Sequence, residues 1–451
     1  MGNAHGLNLG DDEDSRYLCH ATPLLDQGKI METLEIRNFL TIKKAEIVIK
    51  RVNIIIGLQA TGKSIIAKLI YVFQDFLSRT LPALIRFGNE DSIGSSLTNL
   101  FTSIFPKYAW ENQDFLISYK INNVFITISP NRTNLEQLLL HINFSGKFDE
   151  FVNQAKDIKE QRRNDLMINL PVLGIDTAVQ SYICESIFGI KFLRSLFIPA
   201  GRSFFTIIQG NIFSLLENNA NIDPFTRIFG SHYEHYKSDY DSSASHPVFF
   251  SDIQLIPSVK ERVKKILAGE YQHYNQEDWI YNHQTEARVK LKDASSGQQE
   301  SLPMLLIMST APFSISPDKL TSFFIEEPEA HLFPSAQKSI IDLFSLLYNR
   351  RNCNFFITTH SPYVLTAINV LIKAGNIYNS TDNQAKKERI NEIVDKQLHI
   401  KFEDVAAYTI KDGILESIVN EDLQIIGSSI IDSVSDEFES EYNALLDLEY
   451  E

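Results

Sequence analysis

The sequence is poor in cysteine and contains no long apolar run. Its 451 residues include three cysteines, Cys19, Cys184 and Cys353, which are too far apart for a metal-binding spacing. This excludes a disulfide framework and favours a reducing compartment. No stretch of about 18 apolar residues is present, which predicts that the chain has no membrane span. The first residues also lack the basic and then apolar pattern of a secretory signal, so we expect a cytoplasmic protein.

Basic residues are outnumbered by acidic ones. The chain has 42 Lys and Arg against 57 Asp and Glu, which gives a net charge of −15. Because binding to the phosphate backbone depends on Lys and Arg, this balance argues against DNA binding over the whole surface. A local basic groove, for example at residues 260–265, stays open. Hydrophobic residues make up 44% of the chain, which is enough for a large core and excludes a disordered protein.

Periodicity and composition divide the chain into five segments. Residues 1–30 are polar and irregular, which predicts a flexible arm. Residues 31–95 and 286–420 combine apolar strands with amphipathic helices, which predicts the N-terminal and C-terminal halves of one α/β core. Residues 96–285 are less regular and predict an inserted, largely helical lobe. Residues 421–451 carry ten acidic residues and no Lys or Arg, and they form an acidic segment.

The strongest motif lies between the apolar strand 52–56 and a helical pattern at 64–76. It runs Gly-Leu-Gln-Ala-Thr-Gly-Lys-Ser and matches G-x-x-x-x-G-K-[ST] in full. The glycines let the backbone wrap a phosphate, and the loop N–H groups at a helix start favour an anion. Lysine reaches the β- and γ-phosphates, and serine completes a Mg²⁺ shell. The motif predicts an ATP and Mg²⁺ site made by Gly57, Gln59, Ala60, Thr61, Gly62, Lys63 and Ser64.

Two adjacent carboxylates end another apolar strand. Glu326 and Glu327 follow Phe323-Phe324-Ile325 directly. Opposite a phosphate loop, one carboxylate can hold the metal shell and the other can polarise the attacking water. A solvated acidic loop is the alternative, and the presence of the phosphate loop argues against it.

Two weaker motifs flank this pair. Residues 294–298, Ala-Ser-Ser-Gly-Gln, precede a helical pattern, and alone they indicate no more than an N-cap. Residues 355–359 form an apolar strand that ends at His360, and Ser361-Pro362 then starts a helix. A single histidine at such a position can be structural or functional.

In this order, the four elements resemble the ABC-type ATPases, the superfamily of transporter motors, RecF, Rad50 and SMC heads. The resemblance covers about 31–95 and 285–420. It implies an α/β fold, namely a P-loop NTPase of the ABC ATPase head type with an inserted, largely helical lobe. It also implies Mg²⁺-dependent ATP hydrolysis, in which Lys63 and His360 are catalytic residues and His360 is the switch histidine.

The resemblance also implies roles for the remaining motif residues. Glu326 corresponds to the Walker B metal ligand and Glu327 to the catalytic base. Ser295 and Gly297 correspond to signature residues that touch ATP bound by a second subunit. Hydrolysis is therefore expected at a composite site in a homodimer or in a higher oligomer built from dimers. Two departures are present, since Ala-Ser-Ser-Gly-Gln replaces the usual Leu-Ser-Gly-Gly-Gln, and the usual Walker B aspartate is Glu326.

The details look like the OLD-type soluble ATPases of bacterial defence systems. The similarity rests on Glu-Glu-Pro-Glu at 326–329, Thr-Thr-His-Ser-Pro at 358–362 and Ile-Pro-Ala-Gly-Arg-Ser at 198–203. The last segment implies that Arg202 faces the nucleotide or a partner. The alternative is a surface arginine at a helix start.

A nuclease site of the OLD type is not expected in this chain. The Toprim domain of the OLD nucleases needs a Glu and an Asp-x-Asp set, and the residues after His360 contain no Asp-x-Asp. Asp239-Tyr240-Asp241 has that spacing, but the polar run 231–246 predicts a solvated loop. The chain thus resembles the ATPase subunits of two-gene phage-defence systems of the PARIS or Septu type. That implies a sensor or scaffold ATPase with a separate nuclease effector and a phage-encoded trigger.

A second function stays open at this point. A RecF- or Rad50-like DNA-repair ATPase would carry the same motifs and would bind DNA directly. The runs Lys156, Lys159, Arg162, Arg163 and Lys260, Arg262, Lys264, Lys265 are the available basic patches. Solvated helix faces are the simpler interpretation of both runs.

Overall fold

The computed structural model describes residues 31–131, 139–169, 173–190, 192–207, 222–242, 254–275 and 277–427. The predicted arm and most of the acidic segment therefore lie outside the described residues. Within the described part the fold is α/β, as predicted. Its strands are β1 (Glu32–Phe39), β2 (Ile42–Ile49), β3 (Val52–Ile56), β4 (Leu116–Ile121), β5 (Val124–Asn131), β6 (Leu139–Gly146), β7 (Leu193–Ile198), β8 (Glu270–Tyr274), β9 (Glu277–Asn282), β10 (Ala287–Lys290), β11 (Leu320–Glu326), β12 (Cys353–Thr359), β13 (Val405–Lys411), β14 (Ile414–Ser417), β15 (Val419–Asn420) and β16 (Ile425–Ile426).

Helices connect the strands of the core, and a π-helical turn at Phe76–Thr80 links the first two of them. The α-helices in the described ranges are α1 (Lys63–Asp75), α2 (Leu81–Phe87), α3 (Ile93–Ile104), α4 (Phe148–Asn169), α5 (Leu173–Phe188), α6 (Ser203–Ile207), α7 (Pro224–Ser242), α8 (Ile256–Leu267), α9 (Ser296–Thr310), α10 (Pro334–Arg350), α11 (Pro362–Asn379) and α12 (Gln384–Ile393).

One large mixed sheet organises the described chain. Its strand order is β6-β5-β4-β1-β2-β14-β13-β3-β12-β11-β7. The strands from β6 to β2 pair with one another in antiparallel fashion, whereas β13, β3, β12, β11 and β7 run parallel to one another. Between these two parts, β14 pairs in parallel with β2 and in antiparallel fashion with β13. The predicted insertion, residues 96–285, contributes β4 to β7 to this sheet. It also contains the helices α4 and α5.

The parallel strands are buried on both faces. In β3, Ile54 and Ile56 pack into one hydrophobic core with α9, α10 and α11, whereas Ile55 packs into a second core with α1. Because successive side chains of a strand point to opposite faces, these strands need apolar residues at every position. The run Val-Asn-Ile-Ile-Ile meets that need except at Asn53, whose buried side-chain amide donates to Lys50 O and Phe355 O.

The parallel arrangement brings four strand ends to one edge of the sheet. Ile56 pairs with Thr359, Glu326 pairs with Thr358, and Ile198 pairs with Ile325. Ligands of open α/β sheets bind in the crevice beyond the carboxyl ends of such strands. The phosphate loop, the paired carboxylates, His360 and the 199–203 segment all follow these ends.

The loop predicted at 231–246 is wrong, because α7 continues to Ser242. Phe225, Phe229, Tyr233 and Tyr236 recur at helical spacing, and all four are buried. The polar residues between them hid this apolar stripe. Asp239 and Asp241 accordingly lie on a helix, and residues 243–246 fall outside the described residues. Across the described ranges, the helices are too short or too polar to span a bilayer.

Candidate functional site

The phosphate loop connects β3 to α1 through a left-handed turn. Gly62 has φ 105° and stands at the N-cap of α1, where it accepts hydrogen bonds from the amides of Ile65 and Ile66. A Cβ atom at this position would lie 2.8 Å from Thr41 Oγ1, so the turn needs glycine for both conformation and space. The first turn of α1 therefore presents its free N–H groups toward the strand edge.

Lys63 is buried at the base of this loop. Its Nζ donates to the carbonyl oxygens of Gly57, at 2.9 Å, and Leu58, at 2.7 Å. Burial lowers the pKa of Lys63, and the carboxylates of Glu327 and Glu329 oppose that shift. The lysine is therefore electrostatically coupled to the acidic cluster after β11. Ser64 is exposed, as are Gln59 and Ala60.

Glu326 presents one unsatisfied oxygen at the end of β11. Its Oε2 accepts a 3.2 Å hydrogen bond from the Ala200 amide, while its buried Oε1 has no hydrogen-bond partner. A buried anionic oxygen without a donor is costly unless a cation neutralises it. This observation fits a Mg²⁺ ligand. In proteins, Mg²⁺ is usually bound by one or two carboxylates, and phosphate oxygens and water provide the other ligands. Glu326, with the Ser64 hydroxyl at the start of α1, could hold that ion.

Glu327 and His360 meet at the end of β11 and β12. His360 Nε2 lies 3.3 Å from Glu327 Oε1, and both side chains are partly exposed to solvent. Glu327 has φ 46°, a left-handed conformation that is uncommon for a residue with a Cβ. Its amide donates to Thr358 O at 2.8 Å, which extends the strand pairing by one residue. Such strain is typical of functional sites whose surroundings fix the backbone.

Glu329 also joins the site, although it was not among the predicted catalytic, nucleotide-binding or metal-binding residues. Its Oε1 accepts hydrogen bonds from Thr359 Oγ1 and from the His360 amide, both at 2.7 Å. Its second oxygen, Oε2, is buried and has no hydrogen-bond partner. Glu329 therefore holds the chain that carries His360. The sequence offered one signal for this residue, because Glu329 is the third acid of Glu-Glu-Pro-Glu. A carboxylate so close to a buried strand is expected to have a hydrogen-bond partner.

Arg202 is completely buried, so it neither caps a surface nor faces a partner. Its guanidinium donates to the carbonyls of Pro199, Glu300, Glu326 and Glu327 at 2.7–3.0 Å. Burial lowers the pKa of Arg202, and the carboxylates of Glu300, Glu329, Glu326 and Glu327 oppose that shift. Since the Arg202 side chain has no exposed surface, it neither faces a nucleotide or a partner, as the resemblance implied, nor lies at the surface, as the alternative held. Its guanidinium bonds to the backbone carbonyls of Glu326 and Glu327 and not to their carboxylate oxygens.

The signature segment forms the start of α9. Ser295 is the N-cap, and its side chain and that of Gln298 bond reciprocally to each other's backbone amides, a capping box. Gln298 Nε2 also donates to Leu267 O at 2.8 Å, which fixes α9 to the end of α8. A Cβ atom on Gly297 would lie 2.7 Å from His331 O. Glycine is therefore required for the close approach of α9 to the loop after β11.

Ser295 and Gly297 line a cleft of their own. The cleft has a volume of about 300 Å³ and also contains Lys265, His331 and Phe333. Phe333 is exposed. All of the lining residues belong to the described ranges, and none of them lies in the phosphate loop 57–64. The structure thus brings together the phosphate loop, Glu326, Glu327 and His360 along one edge, but it does not bring the signature residues into the phosphate loop of the same chain.

One known family matches part of the chain. Residues 202–365 match the family described as the AAA ATPase domain. The matched range is a minority of the chain. It contains the signature segment, the paired carboxylates and His360, but not the phosphate loop. A search among curated proteins gave no match.

Solved structures give weaker similarities. The SMC head domain from Thermotoga maritima is 12% identical with a TM-score of 0.33, over 86% of this chain and 98% of that one. The recombination mediator protein RecF is 11% identical with a TM-score of 0.30, over 86% of this chain and 98% of its own. Scores this low carry no argument about what the chain does.

Proposed function

We propose that this chain is a Mg²⁺-dependent ATPase. The observation that carries the proposal is the buried, unpartnered Oε1 of Glu326, beside the Glu327–His360 pair and on the same sheet edge as a complete phosphate loop. An anionic oxygen there is suited to a cation, and the loop is suited to the phosphates that accompany that cation. The match to the AAA ATPase domain supports the same activity.

Each side chain has a role in ATP binding or hydrolysis that follows from its position. The loop amides and the N-terminus of α1 bind the β- and γ-phosphates of ATP. Lys63 exchanges its two carbonyl bonds for bonds to phosphate oxygens, and these anionic oxygens favour its ammonium form. When bound by Glu326 and Ser64, Mg²⁺ would neutralise phosphate charge. Glu327 orients the attacking water and takes its proton, and His360 holds the Glu327 carboxylate from the other side.

We propose that the site is completed by a second copy of the chain. The cleft lined by Ser295 and Gly297 contains no residue of the phosphate loop 57–64 of its own chain. A two-fold arrangement would place each signature cleft against the partner's phosphate loop, and it gives two equivalent sites. Higher oligomers could then be built from such dimers.

Mixing two inactive variants tests both proposals. Lys63→Met disables the phosphate loop, and Ser295→Arg disables the signature surface. In a composite dimer, a mixed pair contains one intact site, so a one-to-one mixture should recover about a quarter of wild-type turnover. Each variant alone should be inactive. No recovery on mixing, with wild-type turnover present, would contradict the composite site; no wild-type turnover would contradict the ATPase itself.

We further propose that the ATPase serves as the sensor or scaffold subunit of a bacterial anti-phage defence complex. In this role the ATP state controls a separate nuclease effector, and a phage-encoded product is the trigger. The proposal rests on the resemblance to OLD-like ATPases of the PARIS or Septu type. The net charge of −15 favours protein partners over direct DNA binding.

Co-purification distinguishes this role from DNA repair. The chain should be expressed with its neighbouring genes, with and without ATP, beside the Glu327→Gln variant. A nuclease-like neighbour that is held in one ATP state and released in another supports the defence role. An ATP-dependent dimer that captures duplex DNA, with strong salt dependence and sensitivity to Lys260→Ala and Lys264→Ala, would overturn it in favour of repair.

A further inference from the structure

Arg202 connects three parts of the site that are far apart in sequence. Its Nη1 donates to Glu326 O at 2.7 Å, its Nη2 donates to Glu327 O at 3.0 Å, and its Nε donates to Glu300 O at 3.0 Å. Glu300 lies on α9, one turn after the signature residues, and Glu326 ends β11. A single buried side chain thus joins the signature helix to the backbone of the paired carboxylates.

Glu300 completes this connection from the helix side. Its Oε1 accepts a hydrogen bond from the Arg202 amide at 2.7 Å, and its Oε2 accepts one from the Ser203 amide at 2.8 Å. Its carboxylate also lies 3.5 Å from Arg202 Nε, and both side chains are nearly inaccessible to solvent. The two charges therefore compensate each other where an isolated charge would be strongly destabilising.

The connection holds the backbone of Glu327 in a strained conformation. Glu327 adopts φ 46°, a conformation that costs about 1 kcal/mol or more for a residue with a side chain. Its amide is fixed by Thr358 O and its carbonyl by Arg202 Nη2, so the strained residue is held on both sides. In addition, the Ala200 amide fixes Glu326 Oε2, which leaves Oε1 free for a cation.

We infer that Arg202 is a positioning residue, which sets the backbone of Glu326 and Glu327 and ties it to the signature helix α9 through Glu300. The inference rests on the proposed ATPase function. A shift of α9, where the partner's ATP would bind, is transmitted by Arg202 to the catalytic base. An arginine is needed because its planar fork serves several carbonyls at once, whereas a lysine has a single compact ammonium group.

The test compares Arg202→Lys with a matched variant, Arg351→Lys. Arg351 is also buried and donates to two backbone carbonyls, those of Pro312 and Ile315, but it precedes β12 and lies at the opposite end of that strand from His360. The two variants should lose stability to a similar extent. They should differ in their effect on the site, because only Arg202 contacts the carboxylate segment.

Hydrogen exchange in the nucleotide-free protein gives a readout that does not depend on turnover. We expect Arg202→Lys to accelerate amide exchange in peptides that cover 199–203, 296–300 and 326–329, and Arg351→Lys to leave these peptides unchanged. Unchanged exchange at 326–329 in Arg202→Lys would overturn the inference. If Arg202→Lys does not fold, Glu300→Gln tests the same connection from its other end.

Steady-state kinetics then separates positioning from support of the fold. We expect kcat to fall by about 10- to 100-fold in Arg202→Lys, the scale of a displaced catalytic group, with KM for ATP nearly unchanged. Arg351→Lys should keep the wild-type kcat. If both variants lose kcat equally, Arg202 is merely structural. If the wild type does not hydrolyse ATP, the proposed function fails, and the exchange experiment alone decides the inference.

Discussion

His360 Nε2 and Glu327 Oε1 are 3.3 Å apart, at the ends of two adjacent parallel strands. The strand register holds this distance, because Glu326 pairs with Thr358 and Glu327 donates its amide to Thr358 O. Glu329 fixes the His360 backbone from the opposite direction. Backbone hydrogen bonds therefore position both residues so that their side chains face each other. We expect the two side chains to act as a pair.

Replacement of the proposed base should separate binding from hydrolysis. In Glu327→Gln we expect turnover to fall by about 100- to 10,000-fold, the usual contribution of a general base. ATP binding should persist, because the loop and Lys63 are unchanged. Turnover and binding of a fluorescent ATP analogue are the measurements. Glu392→Gln, on the exposed face of α12, is the control. Near-normal turnover in Glu327→Gln would show that Glu327 is not the catalytic base.

The pairing of His360 with Glu327 predicts non-additive kinetics. His360→Gln alone should lower kcat because the carboxylate loses its orientation. In the His360→Gln and Glu327→Gln double variant, the further loss should be small, since residues that act as a unit are not additive. Losses that multiply would indicate two independent contributions.

The unpartnered oxygen of Glu326 predicts a specific metal effect. Glu326→Gln should leave the affinity for metal-free ATP unchanged or higher, because a repulsive charge near the phosphates is removed. The additional affinity that Mg²⁺ confers should largely disappear. Titration calorimetry with ATP, with and without Mg²⁺, measures both quantities. An unchanged response to Mg²⁺ would show that Glu326 is not a ligand.

The close approach at Gly297 predicts a strong effect of one methyl group. Gly297→Ala should destabilise the protein by about 1–3 kcal/mol, because the new Cβ would meet the His331 carbonyl oxygen. Ser296→Ala is the matched control, since Ser296 is the exposed neighbour on the same turn. Its effect should stay within about 0.5 kcal/mol. Urea unfolding compares the two, and equal effects would contradict the close contact.

His232 on α7 predicts a loss of stability in mild acid. Burial lowers the pKa of His232 from 6.5 to about 4, and the charges of Arg194 and Arg79 act in the same direction. The folded state therefore holds the neutral imidazole, whereas the unfolded state takes up a proton below pH 6.5. This contribution to stability is complete above pH 6.5 and is lost as the pH falls toward 4, by at most about 3 kcal/mol.

The variant His232→Gln, which cannot titrate, should show a smaller decrease in the free energy of unfolding between pH 7 and pH 5 than the wild type. His141→Gln is the control, because His141 is exposed on β6. The same pH dependence in His232→Gln and the wild type would show that His232 is not buried in its neutral form.

Features that depend on contiguous residues were predictable from the sequence. The loop 57–64 lies between a buried strand and a helix as expected, and Glu326 and Glu327 end a strand as expected. The information for each lies within about ten residues, where apolar periodicity and glycine placement determine the local structure. The pairing of β3 with β12 was consistent with these motifs, but no local signal specified it.

Features that depend on distant contacts were not predictable. The bond from Arg202 to Glu300 joins residues 98 positions apart, and nothing in either segment indicates the other. The loop expected at 231–246 failed for a different reason. The high polarity of this segment predicted a loop, but Phe229, Tyr233 and Tyr236 recur at helical spacing. Burial of these three rings stabilises the helix.

The position of β3 in the sheet has a consequence for synthesis of the protein. β3 carries the phosphate loop, but its two neighbours are β12 and β13, which end at Thr359 and Lys411. At translation rates of about 5–20 residues per second, tens of seconds separate the emergence of the loop from that of its second neighbour. The nascent loop is thus without its two flanking strands until β12 and β13 have been synthesised. Nucleotide binding should begin only after β13 has left the ribosome.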